Sequence, residues 1–226
     1  MTAARTVNAV FFDLFGTLLD LVPLDEACDR LSPGRGAEIA ARWRARQLEA
    51  SWLRTVMEQW ADFDVVTLDA LRAAVREFGV DGSADESVLR AVADAFIDLP
   101  LVDGASKVVQ ELRAAGIVTG ILTNASIRAL DRVSGRLPPM DRYLSVDAAR
   151  QFKPHPKVYQ LAGDATGLPA MQIGFVTANG WDAAGAVAFG FRVAWLRPGP
   201  TASLPAVGAP EPIIATWPEI VPIFIQ

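Results

Sequence analysis

Short apolar runs recur along the chain, each closed by a polar or turn-forming residue. They are VNAVFFD (7–13), IVTGILTN (117–124), IGFVTAN (173–179) and RVAWL (192–196), with a weaker PIIAT (212–216) near the end. Runs this short and this apolar read as strands buried on both faces of a parallel sheet. Helical patterns separate them. DGASKVVQELRAAG (103–116) opens on an Asp/Ser cap signal and stops at Gly116, and DAAGAVAFG (182–190) follows its strand in the same manner. This alternation predicts an α/β fold with a doubly wound, mainly parallel sheet.

Residues 21–98 break the alternation. They carry no strand pattern but long helical periodicity: GAEIAARWRARQLEASWLRTVMEQW (36–60) sets Ile39, Trp43, Ala50, Leu53, Met57 and Trp60 at steps that build a helical face. Two further helical segments, 67–80 and 84–99, are separated by Gly79 and Gly82. An all-helical block after the first strand reads as a cap domain at 20–99 inserted into a core of 1–19 and 100–226. The hinges fall at 19–23 and 98–103, each with a proline. The last thirty residues hold seven of the fifteen prolines, which excludes a long helix and predicts loop, edge strand and short turn.

Composition narrows the function classes. The 226 residues are 51% hydrophobic and 21% charged, with a net charge of −5 and no basic block, so nucleic acid is not an expected partner. No apolar stretch approaches the ~18 residues of a membrane span, and the N-terminus lacks a signal-peptide layout, so a cytoplasmic protein with no membrane partner is expected. One cysteine, Cys28, forms no internal disulfide and reads as a small apolar residue near a helix. One histidine, His155, leaves little from which to build a Ser-His-Asp site or a multi-histidine zinc centre. It sits in the proline-flanked KPHPKVY, where a solvated turn residue is expected.

Ligands of an open α/β sheet gather outside the carboxyl ends of its strands. Four sets of polar residues fall there: Asp13, Thr123 with Asn124, Lys153, and Thr177 to Asp182. Each alone could be a helix cap, a turn residue or a solvated side chain. Their convergence from four segments points to a site.

The segments FFDLFGTLLD, ILTNAS, RQFKPHPKVY and FVTANGWDAAGAVAFGFRVAWL resemble the four ordered motifs of the haloacid dehalogenase superfamily. The likeness is greatest to the L-2-haloacid dehalogenases, and it extends into the cap, where RWRARQLEASWLR resembles that family's arginine-bearing helix. The resemblance implies a Rossmann-like core with a helical cap, and a homodimer. A phosphatase of the superfamily places a second acid two residues after the nucleophile, to protonate the leaving alkoxide. Here that position is Phe15. Phosphatases also use acids of the fourth motif to hold magnesium, a hard cation that takes oxygen ligands. Here Thr177 and Asn179 stand in those places. Lys153 supplies a fixed positive charge instead, and a halide leaves without a proton. The resemblance therefore implies carbon–halogen cleavage, with no metal and no cofactor.

On that resemblance Asp13 attacks C2 of a 2-halocarboxylate, displaces halide with inversion and forms an ester. Thr123 and the turn amides of Leu14 and Phe15 would bind the substrate carboxylate. Arg44 and Asn124 would receive the halide. Asp182, with Thr177 and Asn179, would position the hydrolytic water. Thr17 would hold Asp13, and Tyr159 would hydrogen-bond near the acids. Phe15, Leu48, Phe63 and Trp181 would wall the substrate alkyl group; Arg44 and Leu48, four residues apart, share a helix face. Three alternatives stay open at this point. They are ring opening of azetidine-2-carboxylate by the same Asp13 attack, a small-molecule phosphatase, and a non-catalytic carboxylate-binding protein.

Overall fold

In the computed structural model, residues 7–79, 85–196 and 213–225 are described. Among these residues six strands form one parallel sheet: β1 (Ala9–Phe12), β2 (Val118–Thr123), β3 (Arg142–Ser145), β4 (Ile173–Thr177), β5 (Arg192–Leu196) and β6 (Ile213–Ile214). Their spatial order is β3-β2-β1-β4-β5-β6, so β1 lies between β2 and β4. Every residue of β1 is buried, as its unbroken AVFF requires. Phe12 pairs with Ile121 on one side and Val176 on the other, so Asp13 comes level with Leu122 and Thr177, and Thr123 follows one residue further along β2.

Helices α5 (Ala105–Ala114), α6 (Ile127–Ser134), α7 (Pro156–Thr166) and α8 (Gly180–Phe189) connect the strands. Among the described residues between β1 and α5 the elements are helices: α1 (Leu24–Asp29), α2 (Gly36–Val56), α3 (Phe63–Glu77) and α4 (Glu86–Asp94). The chain enters and leaves this helical block along paired backbone. The Asp20 amide donates to the Pro100 carbonyl at 2.9 Å, and the Val102 amide to the Leu18 carbonyl at 2.8 Å.

The structure departs from some expectations and agrees with others. The strand β3 carries no apolar run; its RYLS begins exposed at the sheet edge, where one face needs no apolar cover. The inward face of α2 is Ile39, Ala40, Trp43, Gln47 and Ser51, while Leu53 and Met57 are 52% and 55% exposed. The helix ends at Val56, so Met57 and Trp60 lie beyond it. No Asp or Ser side chain caps α5; Gly104, at φ 88°, takes the N-cap place. His155 is the N-cap of α7, its Nδ1 accepting from the Lys157 amide at 3.2 Å. Cys28 is buried on α1, and burial followed by Asp25 pushes its thiol up to about 12, which leaves it an unreactive packing group. Of the proline-rich tail, 197–212 lies outside the described residues; β6 is the edge strand, followed by the four-residue α9 (Val221–Phe224).

Candidate active site

The turn after β1 places the first acid. The Asp13 amide donates to the Val176 carbonyl at 2.9 Å, extending the sheet by one bond. The chain then reverses: amides of Thr17, Leu18 and Leu19 all converge on the Leu14 carbonyl. Gly16, at φ 78°, occupies left-handed backbone that a side chain would strain, and a Cβ there would also crowd Leu21 at 3.1 Å. This reversal brings Thr17 back beside Asp13, where its hydroxyl donates to Asp13 Oδ2 at 2.9 Å and accepts from the Ala178 amide at 3.0 Å.

Both oxygens of Asp13 are occupied. Oδ2 also accepts from Asn179 Nδ2 at 2.7 Å and, more weakly, from Thr177 Oγ1 at 3.4 Å. Oδ1 accepts from Lys153 Nζ at 2.8 Å. The Lys153 ammonium is fully buried, and its other two protons go to Asp182 Oδ2 at 2.6 Å and the Leu122 carbonyl at 3.0 Å. All three donors of the ammonium are thus used. Burial alone would pull the Lys153 pKa down; Asp13 and Asp182 outweigh it and hold the group above its usual value.

Asp182 closes the network. Its Oδ1 accepts from the Tyr159 hydroxyl at 2.7 Å. Burial pushes its carboxyl up to about 6, Lys153 opposes the rise and Asp13 adds to it. Burial, then Asp182, raises Tyr159 well above its usual value, so the phenol remains a donor. A close approach of α8 to α7 makes this contact possible. A Cβ at Gly185 would stand 2.5 Å from both Pro154 Cβ and the Tyr159 hydroxyl oxygen.

Seven of the expected residues therefore meet in one hydrogen-bonded network: Asp13, Thr17, Lys153, Tyr159, Thr177, Asn179 and Asp182. Asn124 joins through its Oδ1, which accepts from the Lys153 amide at 2.9 Å. Thr123 is buried at the end of β2, its Oγ1 accepting from the Ala125 amide at 3.0 Å. Leu14 is buried within the turn. On the cap side, Arg44 feels burial, which lowers its pKa, and the opposing fields of Asp13 and Asp182. Its guanidinium lies 5.9 Å from the Phe96 ring, and Phe96 meets Phe15 edge-on at 4.6 Å. Phe63 stacks on Phe15 at 6.1 Å. Trp181 is half-buried on α8 and packs edge-on against Trp52 of α2 at 5.7 Å. Leu48 is half-buried on α2, outside the hydrogen-bonded network.

Sequence reasoning missed Phe96, Phe152 and Gln47. Phe96 reads as ordinary helix packing, and Phe152 precedes the lysine without a pattern of its own, although it meets Phe63 at 5.8 Å. Gln47 accepts from Arg44 Nη1 at 2.5 Å, and its place three residues after an arginine on a helix was the available signal.

The arrangement does not fit a magnesium ion. The carboxylates that would bind one, Asp13 and Asp182, are both bonded to Lys153 Nζ, and the position two after Asp13 is an apolar phenylalanine. Among the described residues no three His, Cys, Asp or Glu side chains cluster as metal ligands. The arrangement offers a carboxylate fixed by several donors beside a buried ammonium, and a second buried carboxyl pushed up to about 6.

Residues 7–190 match the family model described as haloacid dehalogenase-like hydrolase. The chain is 39% identical over 194 residues to the (S)-2-haloacid dehalogenase of Pseudomonas sp. (strain YL), covering 84% of this chain and 83% of that protein. It is 40% identical over 191 residues to the (S)-2-haloacid dehalogenase of Xanthobacter autotrophicus, covering 83% and 74%. Among solved structures it is similar to the L-2-haloacid dehalogenase from Xanthobacter autotrophicus with chloropropionic acid covalently bound. The TM-score is 0.81 at 38% identity, covering 87% of this chain and 80% of that one.

Proposed function

We propose, for a chain that belongs to the haloacid dehalogenase-like hydrolase family, that it hydrolyses (S)-2-haloacids to (R)-2-hydroxyacids through an ester on Asp13. The observation that carries this reading is the Lys153 ammonium shared between Asp13 Oδ1 at 2.8 Å and Asp182 Oδ2 at 2.6 Å, with Phe15 where a phosphatase needs an acid. The covalent chloropropionate reported for the Xanthobacter neighbour supports it.

Asp13 is presented for attack by Thr17, Asn179 and Lys153, which fix the carboxylate without a flexible donor. Its oxygen bonds to C2 as the carbon–halogen bond breaks, and the electron pair departs with the halide. Inversion follows from attack opposite the leaving group. Arg44 and the Nδ2 end of Asn124 supply the donors for the developing anion, and Thr123 with the amides of Leu14 and Phe15 takes the substrate carboxylate. Water then attacks the ester carbonyl of Asp13. Asp182, held at about 6, is basic enough to take its proton near neutral pH, with Lys153 and Tyr159 fixing its two oxygens. The adduct collapses by breaking the bond between the Asp13 carbonyl carbon and the ester oxygen, Asp182 returns its proton to that oxygen, and the hydroxyacid leaves with C2 bonded to an oxygen that came from Asp13. Phe15, Phe63, Leu48 and Trp181 enclose the alkyl group. No step needs a metal or a cofactor.

The core is taken as 1–19 with 100–226 and the cap as 20–99, supported by the paired backbone at Asp20–Pro100 and Leu18–Val102. A homodimer is supported by Leu53, Val56 and Met57, exposed together at the end of α2. No helix among the described residues is long and apolar enough to cross a membrane. A cytoplasmic setting is supported by the single, buried cysteine.

A halide-release screen of 2-fluoro-, 2-chloro- and 2-bromopropionate in both hands tests the function. Release from the (S) acids with (R)-lactate as product is expected. No release from any of them, with magnesium-dependent phosphate release from an aryl phosphate instead, would overturn it.

A further inference from the structure

The cap arginines differ in how they are held. Arg42 and Arg46, on the outer side of α2, both salt-bridge Glu77 of α3 at 2.5 and 2.6 Å. Arg44, between them in sequence, turns toward the core and is bonded by a neutral group. Its Nη1 donates to Gln47 Oε1 at 2.5 Å. Gln47 is wholly buried, and its Nε2 donates onward to Thr67 Oγ1 of α3 at 2.7 Å. A guanidinium offers donors only, so the amide must turn its oxygen to Arg44 and its nitrogen to Thr67. The same pair of helices is fixed again by Trp43 Nε1 donating to the Thr67 carbonyl at 2.8 Å, while Ser51 Oγ donates to the Gln47 carbonyl within α2 at 2.8 Å. Thr67 thus anchors Gln47 and Trp43, and Gln47 anchors Arg44.

A buried side chain that spends both ends of its amide on one arginine and its support is more than filler. A carboxylate at this place would hold the guanidinium equally well but would cancel its charge. A glutamine fixes the direction and leaves the charge to act. From this geometry we infer that Gln47 is a positioning residue that aims Arg44 at the departing halide and, being neutral, preserves the arginine's full charge for it. The inference rests on the halide role of Arg44 in the proposed function. It adds a determinant of anion affinity outside the substrate chamber.

Bromide binding to the intact protein, measured by calorimetry, tests it alongside turnover of (S)-2-chloropropionate. Gln47→Leu keeps the bulk and removes the acceptor, and it is expected to weaken bromide about 10-fold or more. Thr67→Val, which removes only the anchor of the amide, should weaken bromide by a smaller factor of about 3, with the fold intact by circular dichroism. Gln47→Glu carries the distinguishing signature: bromide binding weak at pH 8, where the introduced carboxylate is ionised, and recovering as pH falls and it protonates. A residue that merely packs would give no such new pH dependence. Bromide affinity within two-fold of wild type in all three variants, or no bromide binding by the wild type, would overturn the inference. Wild-type protein that binds bromide but releases no halide from 2-chloropropionate would sink the proposed function while leaving the Gln47 arrangement standing.

Discussion

Replacing Asp182 with asparagine should stabilise the protein while stopping its turnover. Asp182 is wholly buried, and burial, opposed by Lys153 and reinforced by Asp13, raises its carboxyl from 3.8 to about 6. A carboxyl whose folded pKa exceeds its unfolded value favours folding in its neutral form. That contribution is fully present below 3.8 and is lost as pH rises through about 6. The loss is roughly 3 kcal/mol at pH 8. Asparagine keeps the shape of the neutral acid and cannot ionise, so Asp182→Asn escapes the loss. Urea denaturation should show the variant more stable by about 3 kcal/mol at pH 8, narrowing to less than about 1 kcal/mol by pH 4. In a chain of this length that corresponds to a rise in Tm of about 6–12 °C at pH 8. Halide should still be released once per site, and the ester should persist as a mass increase on the intact protein. A variant less stable than wild type at pH 8, or a gap that widens on acidification, would refute the reasoning.

Lys153→Met leaves Asp13 and Asp182 buried without their cation, which costs about 3–5 kcal/mol at neutral pH. The same denaturation series should show this, with partial recovery on acidification, and halide release should fall by about 10²–10³-fold. Unchanged stability would contradict the shared ammonium. Gly185→Ala drives a methyl to 2.5 Å from the Tyr159 hydroxyl oxygen and from Pro154 Cβ. It should destabilise by about 1–3 kcal/mol and slow ester hydrolysis more than halide release, a split that pre-steady-state kinetics reads directly. Exhaustive treatment with chelator should leave turnover unchanged; its abolition and restoration by magnesium would assign the chemistry to a metal.

The central strands and the polar groups at their ends were legible because burial on both faces demands continuous apolar runs, and AVFF, GILT and GFVT supply them. The edge strand β3 was not, since RYLS carries no continuous apolar run. The acids and the lysine were legible as isolated charges interrupting apolar segments. What joins them was not, because the contact of Lys153 with Asp13 spans 140 residues and is made by the sheet rather than by any local spacing. The helix α2 is legible in the sequence, and Ile39 and Trp43 of its expected face are buried, but Leu53 and Met57 are exposed. Its inward positions include Gln47 and Ser51, polar residues satisfied by α3 and by the helix's own backbone, and a reading by hydrophobicity passes over them. Phe15 is the reverse case: its apolar character was plain, and its contacts with Phe63 and Phe96 show that it is built into the cap–core wall.

The central claim is that Asp13 itself bonds to the substrate carbon. It is tested most directly by a single turnover of (S)-2-chloropropionate with enzyme in excess, in ¹⁸O-labelled water. The lactate of that first turnover should carry unlabelled oxygen at C2, with the label recovered in the Asp13 carboxylate. Label at C2 of the first-turnover product would mean that water, not Asp13, attacked the carbon, and would contradict the account.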